Sequence, residues 1–266
     1  MWRAELATQF RRRRVKALLL VLAAIPALLA LLVYLSGGPS TGNGPTFLDQ
    51  VTRNGMFAAL AGLTVTVPFF LPLTVAVVAG DSVAGEASLG TLRYLLVRPA
   101  GRSRLLLVKA VTTGAFCLAA ALAVAVGGLV AGAILFPIGR VVTLSATTLS
   151  FASGMERTLA AALVVGASLF GMAAIGLFAS TLTDVPVGAM AATVGIAVLS
   201  AVLGGVSQVH AIHPWLFTRG WFAFSDLLRD PIRWTAITHD LALQAAYMAV
   251  FGAAAWARFT TKDVLA

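Results

Sequence analysis

The residues whose types could support catalysis are few and lie apart in the sequence. Gly166-Ala-Ser168 places a serine in a long apolar run, while His210, His213 and His239 all follow later in a more polar region. A serine nucleophile needs a base within hydrogen-bond reach, and Phe170 replaces the second glycine of the Gly-x-Ser-x-Gly pattern. We therefore expect no intramembrane protease and interpret these small residues as helix-packing positions.

Candidate ligands for a metal or a cofactor are equally sparse. His210 and His213 are three residues apart without a third Cys, His or carboxylate close in sequence, and Cys117 is the single cysteine. A structural zinc site needs four such ligands, and a lone thiol cannot form an intrachain disulfide. We expect that this chain binds no metal and no cofactor of its own.

The chain also lacks the motif with which many ATPases hold phosphate. That loop ends in Gly-Lys followed by Ser or Thr, and none of the three lysines, Lys16, Lys109 and Lys262, follows a glycine. If ATP drives this protein, a separate chain must bind and hydrolyse it. We therefore expect that the chain is not itself an enzyme.

One polar segment, residues 81–109, interrupts two of the most apolar parts of the chain. Its leucines recur at helical spacing beside a mostly polar face, which predicts a short amphipathic helix over residues 83–97. Pro99 would end this helix, and Ser103 would cap the next one. A loop whose arginines only set membrane orientation is the simpler alternative. The ordered Glu, Gly-Thr and Pro-Ala-Gly residues favour a surface that docks a partner.

The composition identifies the elements that must position this segment. Of the 266 residues 59% are hydrophobic and 11% are charged, whereas soluble domains carry about 25% charged residues. An all-α integral membrane protein follows from this. The net charge of +9 is divided among short clusters beside apolar runs, which is typical of membrane topology and not of nucleic-acid binding.

Six apolar runs are long enough to cross a bilayer as helices. They are residues 17–35, 56–79, 110–136, 158–182, 185–209 and 241–257. No polar connection between them could form a soluble domain, so the whole chain, residues 1–266, is a single transmembrane domain. The second run contains Pro68 and Pro72 one turn apart, which predicts a kink that could line a pathway or act as a gate.

Basic residues indicate the orientation of the six spans. Most Lys and Arg residues precede the first span, separate the second from the third, or follow the sixth. Because such residues favour the cytoplasmic side, both termini are predicted to be cytoplasmic. The excess of arginine over lysine suggests a GC-rich bacterial genome, which places the protein in a bacterial plasma (inner) membrane.

Two regions outside the spans are amphipathic. Trp2, Leu6 and Phe10 recur every four residues beside Arg11 and Arg12, which predicts an interfacial helix at the N-terminus. On the opposite side, residues 210–239 are rich in aromatic side chains that favour the headgroup layer. We leave open whether this external segment is a plain interfacial loop or a partly embedded helix.

The polar segment also follows a recognisable order of residues. These are Asp81, Glu86, Gly90, Thr91, Leu92, Leu95, Leu96, Arg98, Pro99, Arg102 and Lys109. Their order resembles the cytoplasmic loop of type-2 ABC transporter permeases, although Val108 stands where glycine is frequent. The outline of six spans, an amphipathic N-terminal helix and a long external connection before the last span is similar as well.

The resemblance implies the permease subunit of an ATP-binding-cassette exporter. A coupling helix in residues 81–106 would dock on a separate ATPase, and the residues implied there are Asp81, Glu86, Gly90, Thr91, Leu92, Arg93, Leu96, Arg98, Pro99 and Arg102. A connecting helix, residues 1–16 with Trp2, Leu6, Phe10, Arg11 and Arg12, would lean on the same ATPase. Two permeases, identical or paralogous, would join two ATPases that bind ATP and Mg.

Two other classes of function stay open. One is a membrane scaffold that docks a cytoplasmic partner without transport, and the other is an ion-coupled carrier. A carrier usually needs a carboxylate within the membrane, but Asp184 and Asp240 stand only at the edges of predicted spans. The smooth apolar composition of the spans favours a hydrophobic or amphipathic cargo without identifying it.

Overall fold

The long apolar runs form helices in the computed structural model, which describes residues 2–37, 48–90, 101–139, 141–145 and 147–261. The α-helices are α1 Trp2–Arg11, α2 Arg13–Leu35, α3 Leu48–Val51, α4 Phe57–Thr66, α5 Phe70–Ser88, α6 Arg102–Leu135, α7 Phe151–Ser168, α8 Phe170–Leu182, α9 Pro186–Gly205 and α10 Trp234–Thr261. Two 3-10 segments, Ser207–Trp215 and Arg219–Leu228, precede α10. Strands β1 (Val141–Val142) and β2 (Thr148–Leu149) form an antiparallel hairpin in which Val141 pairs with Leu149.

Five helical stretches within the described residues are long and apolar enough to cross a bilayer. They are Arg13–Leu35, Phe70–Ser88, Arg102–Leu135, Phe151–Leu182 and Pro186–Gly205. The chain is therefore an all-α, multi-pass membrane protein. The sixth predicted span, residues 241–257, lies within the 28-residue helix α10, which is not among these five.

Two predicted spans are each built from two helices. Residues 56–79 cover α4 and the start of α5, which are separated by Val67–Phe69, where Pro68 cannot donate a backbone hydrogen bond. Residues 158–182 cover the later part of α7 and all of α8, which are separated by Leu169 alone. Apolar periodicity cannot reveal the break at Leu169, because this residue is as apolar as its neighbours.

The helices form one bundle whose two ends differ. α2 and α4 both pack on α6, while α8 packs on both α5 and α10. At the end that we call the α1 end, α1 packs on α6, and the start of α6 contacts the C-terminus of α10. At the opposite hairpin end, Leu144 N–H donates to Leu228 O (2.9 Å), which joins the β-hairpin to the second 3-10 segment.

Small residues let the helices approach closely within the bundle. A Cβ atom at Gly128 of α6 would lie 2.5 Å from Ala59 Cα of α4, and one at Gly132 would overlap the carbonyl group of Gly55. Close backbone approach of this kind is typical of helix packing in membranes. The interface between α4 and α6 therefore leaves no space for a larger side chain at these glycines.

Three local predictions at the α1 end are corrected by the structure. A single helix over residues 83–97 is not formed, because α5 continues to Ser88 and Gly90 then adopts φ +67°, the left-handed conformation that ends helices. The N-terminal helix stops at Arg11, and residues 13–16 belong to α2. Ser103 does not cap α6, since the N-cap is Gly101, which forms no side-chain cap.

Candidate functional site

Lys109 is the centre of a buried ion cluster at the α1 end. Its side chain is 7% exposed, and its Nζ donates to Glu5 Oε1 at 2.6 Å and to Glu86 Oε1. The three residues come from α6, α1 and α5 respectively. Burying an ammonium group is costly unless carboxylates compensate it, and here two of them do. We call these three residues the Lys109 cluster.

The position of Lys109 in its helix explains how the cluster forms. Side chains on an α-helix tilt toward its N-terminus, so Lys109, two turns into α6, directs its ammonium group back to the α1 end. Glu86 occupies the last turn of α5, which faces the start of α6. Glu5 lies on the half-buried face of α1, and Gln9 on that face donates to Thr112 O of α6 at 3.3 Å.

A second, more exposed group of charges lies next to the Lys109 cluster. Asp81 Oδ2 of α5 is 3.4 Å from Arg14 Nη1 and 3.8 Å from Arg12 Nη1. Both arginine side chains are about half exposed, so these pairs contribute little stability compared with Lys109. Their role is to hold the junction between α1 and α2 against α5.

The predicted coupling residues are divided between helix ends and an undescribed stretch. Asp81 and Glu86 lie in α5, and Gly90 follows its C-terminus, while Arg102 is the first residue of α6. Arg102 Nη1 donates to Thr260 O at 3.0 Å, and Trp256 Nε1 donates to Ser103 Oγ at 2.8 Å, so the start of α6 holds the C-terminus of α10. Thr91, Leu92, Arg93, Leu96, Arg98 and Pro99 lie outside the described residues.

The predicted connecting helix corresponds to α1, which is shorter than residues 1–16, and its contact with an ATPase stays a prediction. Leu6 and Phe10 are half-buried, and Phe10 packs against the core, whereas Arg11 and Arg12 are exposed. Trp2 begins the helix. Glu5, which binds Lys109, was not singled out from the sequence. Its position four residues before Gln9, beside the Leu6–Phe10 stripe, was the available signal.

The predicted kink at Pro68 and Pro72 corresponds to the break between α4 and α5. Pro68 lies in the break, and Pro72 occupies the first turn of α5, where a missing N–H is tolerated. Phe69, between them, has φ −138° and ψ −59°, and its side chain is 58% exposed. A gating role for these prolines stays a prediction.

A second buried polar cluster lies in the half of the bundle nearer the hairpin end. Asp240 of α10 is 1% exposed, and its Oδ2 lies 2.5 Å from Ser168 Oγ at the break between α7 and α8. Gln244 Nε2 donates to Asp240 Oδ1 at 3.0 Å, and Trp221 Nε1 donates to Ser168 O at 3.0 Å. We call Asp240, Ser168 and Gln244 the Asp240 cluster.

Sequence reasoning missed the Asp240 cluster, because it placed Asp240 at the mouth of a span. The burial of Asp240 depends on the second 3-10 segment, whose Trp221, Phe224 and Leu227 side chains fold inward against α7 and α10. Ser168 thus contacts a carboxyl group and not a histidine. His213 is buried at the end of α9, where its Nε2 lies 3.1 Å from both Leu203 O and Val206 O.

An apolar groove of about 430 Å³ opens between α6, α8 and α10. Its walls include Val111, Leu118, Phe170, Leu177 and Met248. No lining residue carries a charge, so the groove offers shape and apolar surface without a polar group that would select a particular ligand.

The bundle and its two buried polar clusters define an all-α membrane protein in which Lys109 and Asp240 are buried at contacts between helices. The chain belongs to the family described as "Protein of unknown function (DUF2705)", whose family model matches residues 20–265. A comparison with curated proteins finds no match.

Proposed function

We propose that the chain is the transmembrane permease subunit of an ATP-binding-cassette exporter in a bacterial inner membrane. Its six spans would be α2, α4 with α5, α6, α7 with α8, α9, and α10, with both termini in the cytoplasm. A separate ATPase would bind the 81–106 segment and supply ATP and Mg chemistry. Two permeases, identical or paralogous, would form the translocation pathway with two ATPases.

The Lys109 cluster is the observation that carries this proposal. Residues 91–100, where the sequence predicts the partner contact, connect the last turn of α5 to the start of α6. Lys109 ties these two helix ends to each other and to α1 through Glu86 and Glu5. A force applied by a partner to residues 91–100 would therefore move α5, α6 and α1 together.

The contacts of Arg102 extend the same connection to the last helix. Because Arg102 and Ser103 hold the C-terminus of α10, movement of the start of α6 would also displace α10. The apolar groove between α6, α8 and α10 would then change shape. This is consistent with a hydrophobic or amphipathic cargo, which the composition of the spans favours.

Co-purification from native membranes tests the proposal most directly. The tagged chain is extracted in a mild detergent, and soluble proteins that accompany it are identified by mass spectrometry. We expect a nucleotide-binding ATPase that is lost when Arg93 and Arg98 are both replaced by alanine. Arg53→Ala with Arg219→Ala is the matched control, because it removes two exposed arginines elsewhere and should retain the ATPase.

Two results would contradict the proposal. One is recovery of the folded, gently solubilised protein without any ATPase. The other is an ATPase that persists in the Arg93→Ala, Arg98→Ala variant, since the partner would then bind elsewhere. A partner without nucleotide-binding sequence would favour the scaffold function.

An ion-coupled carrier is the second candidate, and the Asp240 cluster favours it. A carboxyl group buried inside a membrane bundle often marks an ion or proton pathway. The two functions differ in their energy source. Flux into vesicles driven by a proton or sodium gradient without ATP would support the carrier, whereas flux that requires ATP and the partner would support the permease.

A further inference from the structure

Asp240 is a buried carboxyl group surrounded by neutral hydrogen-bond partners. Its side chain contacts the Ser168 hydroxyl and the Gln244 amide, and none of the ion pairs within the described residues involves it. A carboxylate removed from water without a cation is strongly unfavourable. The surroundings of Asp240 therefore favour the neutral acid.

The number of hydrogens available around Ser168 also favours the neutral form of Asp240. Ser168 Oγ lies 2.8 Å from Val164 O and 2.5 Å from Asp240 Oδ2, but a hydroxyl group has one hydrogen to donate. If Asp240 were ionised, Val164 O and Asp240 Oδ2 would both be acceptors, and they would compete for the single hydrogen of the Ser168 hydroxyl group. If Asp240 is protonated, its O–H donates to Ser168 Oγ, and the serine hydroxyl donates to Val164 O.

Gln244 completes the pattern without any spare hydrogen. Its two amide hydrogens go to Phe217 O at 2.8 Å and to Asp240 Oδ1 at 3.0 Å, and its Oε1 accepts from Gly171 N–H at 3.2 Å. With one proton on Asp240, every donor in the cluster has an acceptor and none is shared. Buried polar networks that are satisfied in this way are stable and specific.

We propose that Asp240 is a proton-binding site, occupied while the second 3-10 segment is docked and emptied when that segment moves away. Gly220 of the segment lies against the Asp240 carboxyl group so closely that a Cβ atom there would overlap it. Trp221 Nε1 of the segment donates to Ser168 O, and Phe217 O, just before the segment, accepts from Gln244 Nε2. The segment therefore keeps water away from Asp240, and its departure would hydrate and ionise the acid.

The surrounding titratable and charged groups do not supply a fixed countercharge. On the elements packed around Asp240 at this end, they are His239 and Tyr247 on α10, Arg219 and Asp226 on the second 3-10 segment, and Glu156 and Arg157 on α7. His239, Arg219 and Glu156 are exposed, and Tyr247 donates to Trp215 O. Asp226 pairs with Arg229, while Arg157 pairs with Asp230 and donates to Arg229 O.

The linkage between proton binding and docking determines how docking changes with pH. Because the docked state holds a proton that the undocked state releases, acid favours docking and alkaline conditions favour opening of the hairpin end. One linked proton changes the docking equilibrium by up to about tenfold for each pH unit over the range in which the undocked acid is ionised and the docked acid still holds its proton. Asp240 would bind its proton whether or not an ATPase drives the chain.

Infrared spectroscopy tests the protonation directly. We would record the full chain in an ester-free detergent at neutral pH and observe the carbonyl stretch of protonated carboxylic acids. The expected result is a band that disappears in Asp240→Asn and persists in Asp184→Asn, which changes an exposed carboxyl group. If the wild-type band is absent, or if Asp240→Asn leaves it unchanged, Asp240 is ionised and the proposal is wrong.

A cysteine reporter tests the linkage to docking. Ala223 is partly buried in the second 3-10 segment, so the labelling rate of an Ala223→Cys variant by a water-soluble maleimide measures undocking. The buried Cys117 gives the background in the parent chain. The rate should rise more steeply with pH in the Asp240 background than in the Asp240→Asn background, by up to tenfold per unit. Identical profiles would show that the proton is not linked to docking.

Discussion

The Lys109 and Asp240 clusters stabilise carboxyl groups between packed helices in opposite ways. Both bury carboxyl groups between helices that are distant in sequence. At the α1 end, Lys109 lies between Glu5 and Glu86 and forms an ion pair with each of them. In the half nearer the hairpin end, Asp240 has only hydroxyl and amide partners, and its charge is removed by a proton.

This difference indicates which kind of coupling between helices each region can support. Charged pairs are directional and hold three helices in one arrangement, so the Lys109 cluster suits mechanical connection. A neutral acid holds its arrangement only while its proton stays bound, so the Asp240 cluster suits a reversible contact. Four experiments would break or sharpen this contrast.

The largest effect is expected from Lys109→Met. The substitution leaves Glu5 and Glu86 close together without their cation, and breaking a buried ion pair from one side costs about 3–5 kcal/mol. The free energy of unfolding in detergent measures the loss. Lys16→Met, at an exposed position, is the control and should have no effect. Adding Glu86→Gln to Lys109→Met should recover part of the loss; no recovery would refute the pairing.

Gln244→Leu should be the next most damaging substitution. It removes the partners of Gly171 N–H, Phe217 O and Asp240 Oδ1, and each buried group left unpaired costs on the order of 1–3 kcal/mol. We expect a total loss of about 3 kcal/mol in the free energy of unfolding. Gln208→Leu is the matched control at an exposed position. Equal losses in both variants would mean that the cluster contributes no stability.

A pair of isosteric substitutions compares the clusters directly. Glu86→Gln removes a charge that Lys109 uses and should lower the free energy of unfolding by about 1–3 kcal/mol. Asp240→Asn replaces a neutral acid by a neutral amide of the same shape, adds one amide hydrogen without an acceptor, and should lower it by no more than about 1 kcal/mol. The reverse order, measured in one detergent at one pH, would mean that Asp240 and not Glu86 depends on its charge.

Among the substitutions that remove a charge, Asp81→Asn should have the smallest effect. Its arginine partners, Arg12 and Arg14, are about half exposed, so the loss should stay within about 1 kcal/mol. Added salt should diminish the difference between wild type and variant, since exposed pairs are screened. A loss as large as that of Glu86→Gln, persisting in salt, would show that the arginines belong to the buried cluster.

The sequence predicted the helical membrane fold from composition and from the length of its apolar runs. It also predicted the amphipathic character of α1, because Leu6 and Phe10 follow helical periodicity. It extended a helix through Gly90, although glycine is a common signal for a helix end. Periodic leucines on both sides concealed this signal, and only the backbone conformation at Gly90 reveals the end of α5.

The two clusters could not be predicted because they depend on tertiary contacts. Glu5 and Lys109 lie far apart in the chain, and no local sequence pattern predicts that α1 packs beside α6. Asp240 is polar and stands near the start of an apolar run, which is typical of an exposed position. Its burial results from the 3-10 segment between α9 and α10, whose inward-facing aromatic residues equally suit a membrane surface.

The length of α6 would amplify small movements of the helix at its contacts with α5 and α10. Its 34 residues extend for about 51 Å, whereas a bilayer core is about 30 Å thick, so about 20 Å of helix projects beyond it. The backbone contact between Gly132 and Gly55 lies near one end of α6 and would serve as a fulcrum. A tilt of about 5° around that fulcrum would swing Arg102 by about 4 Å, and the C-terminus of α10 with it.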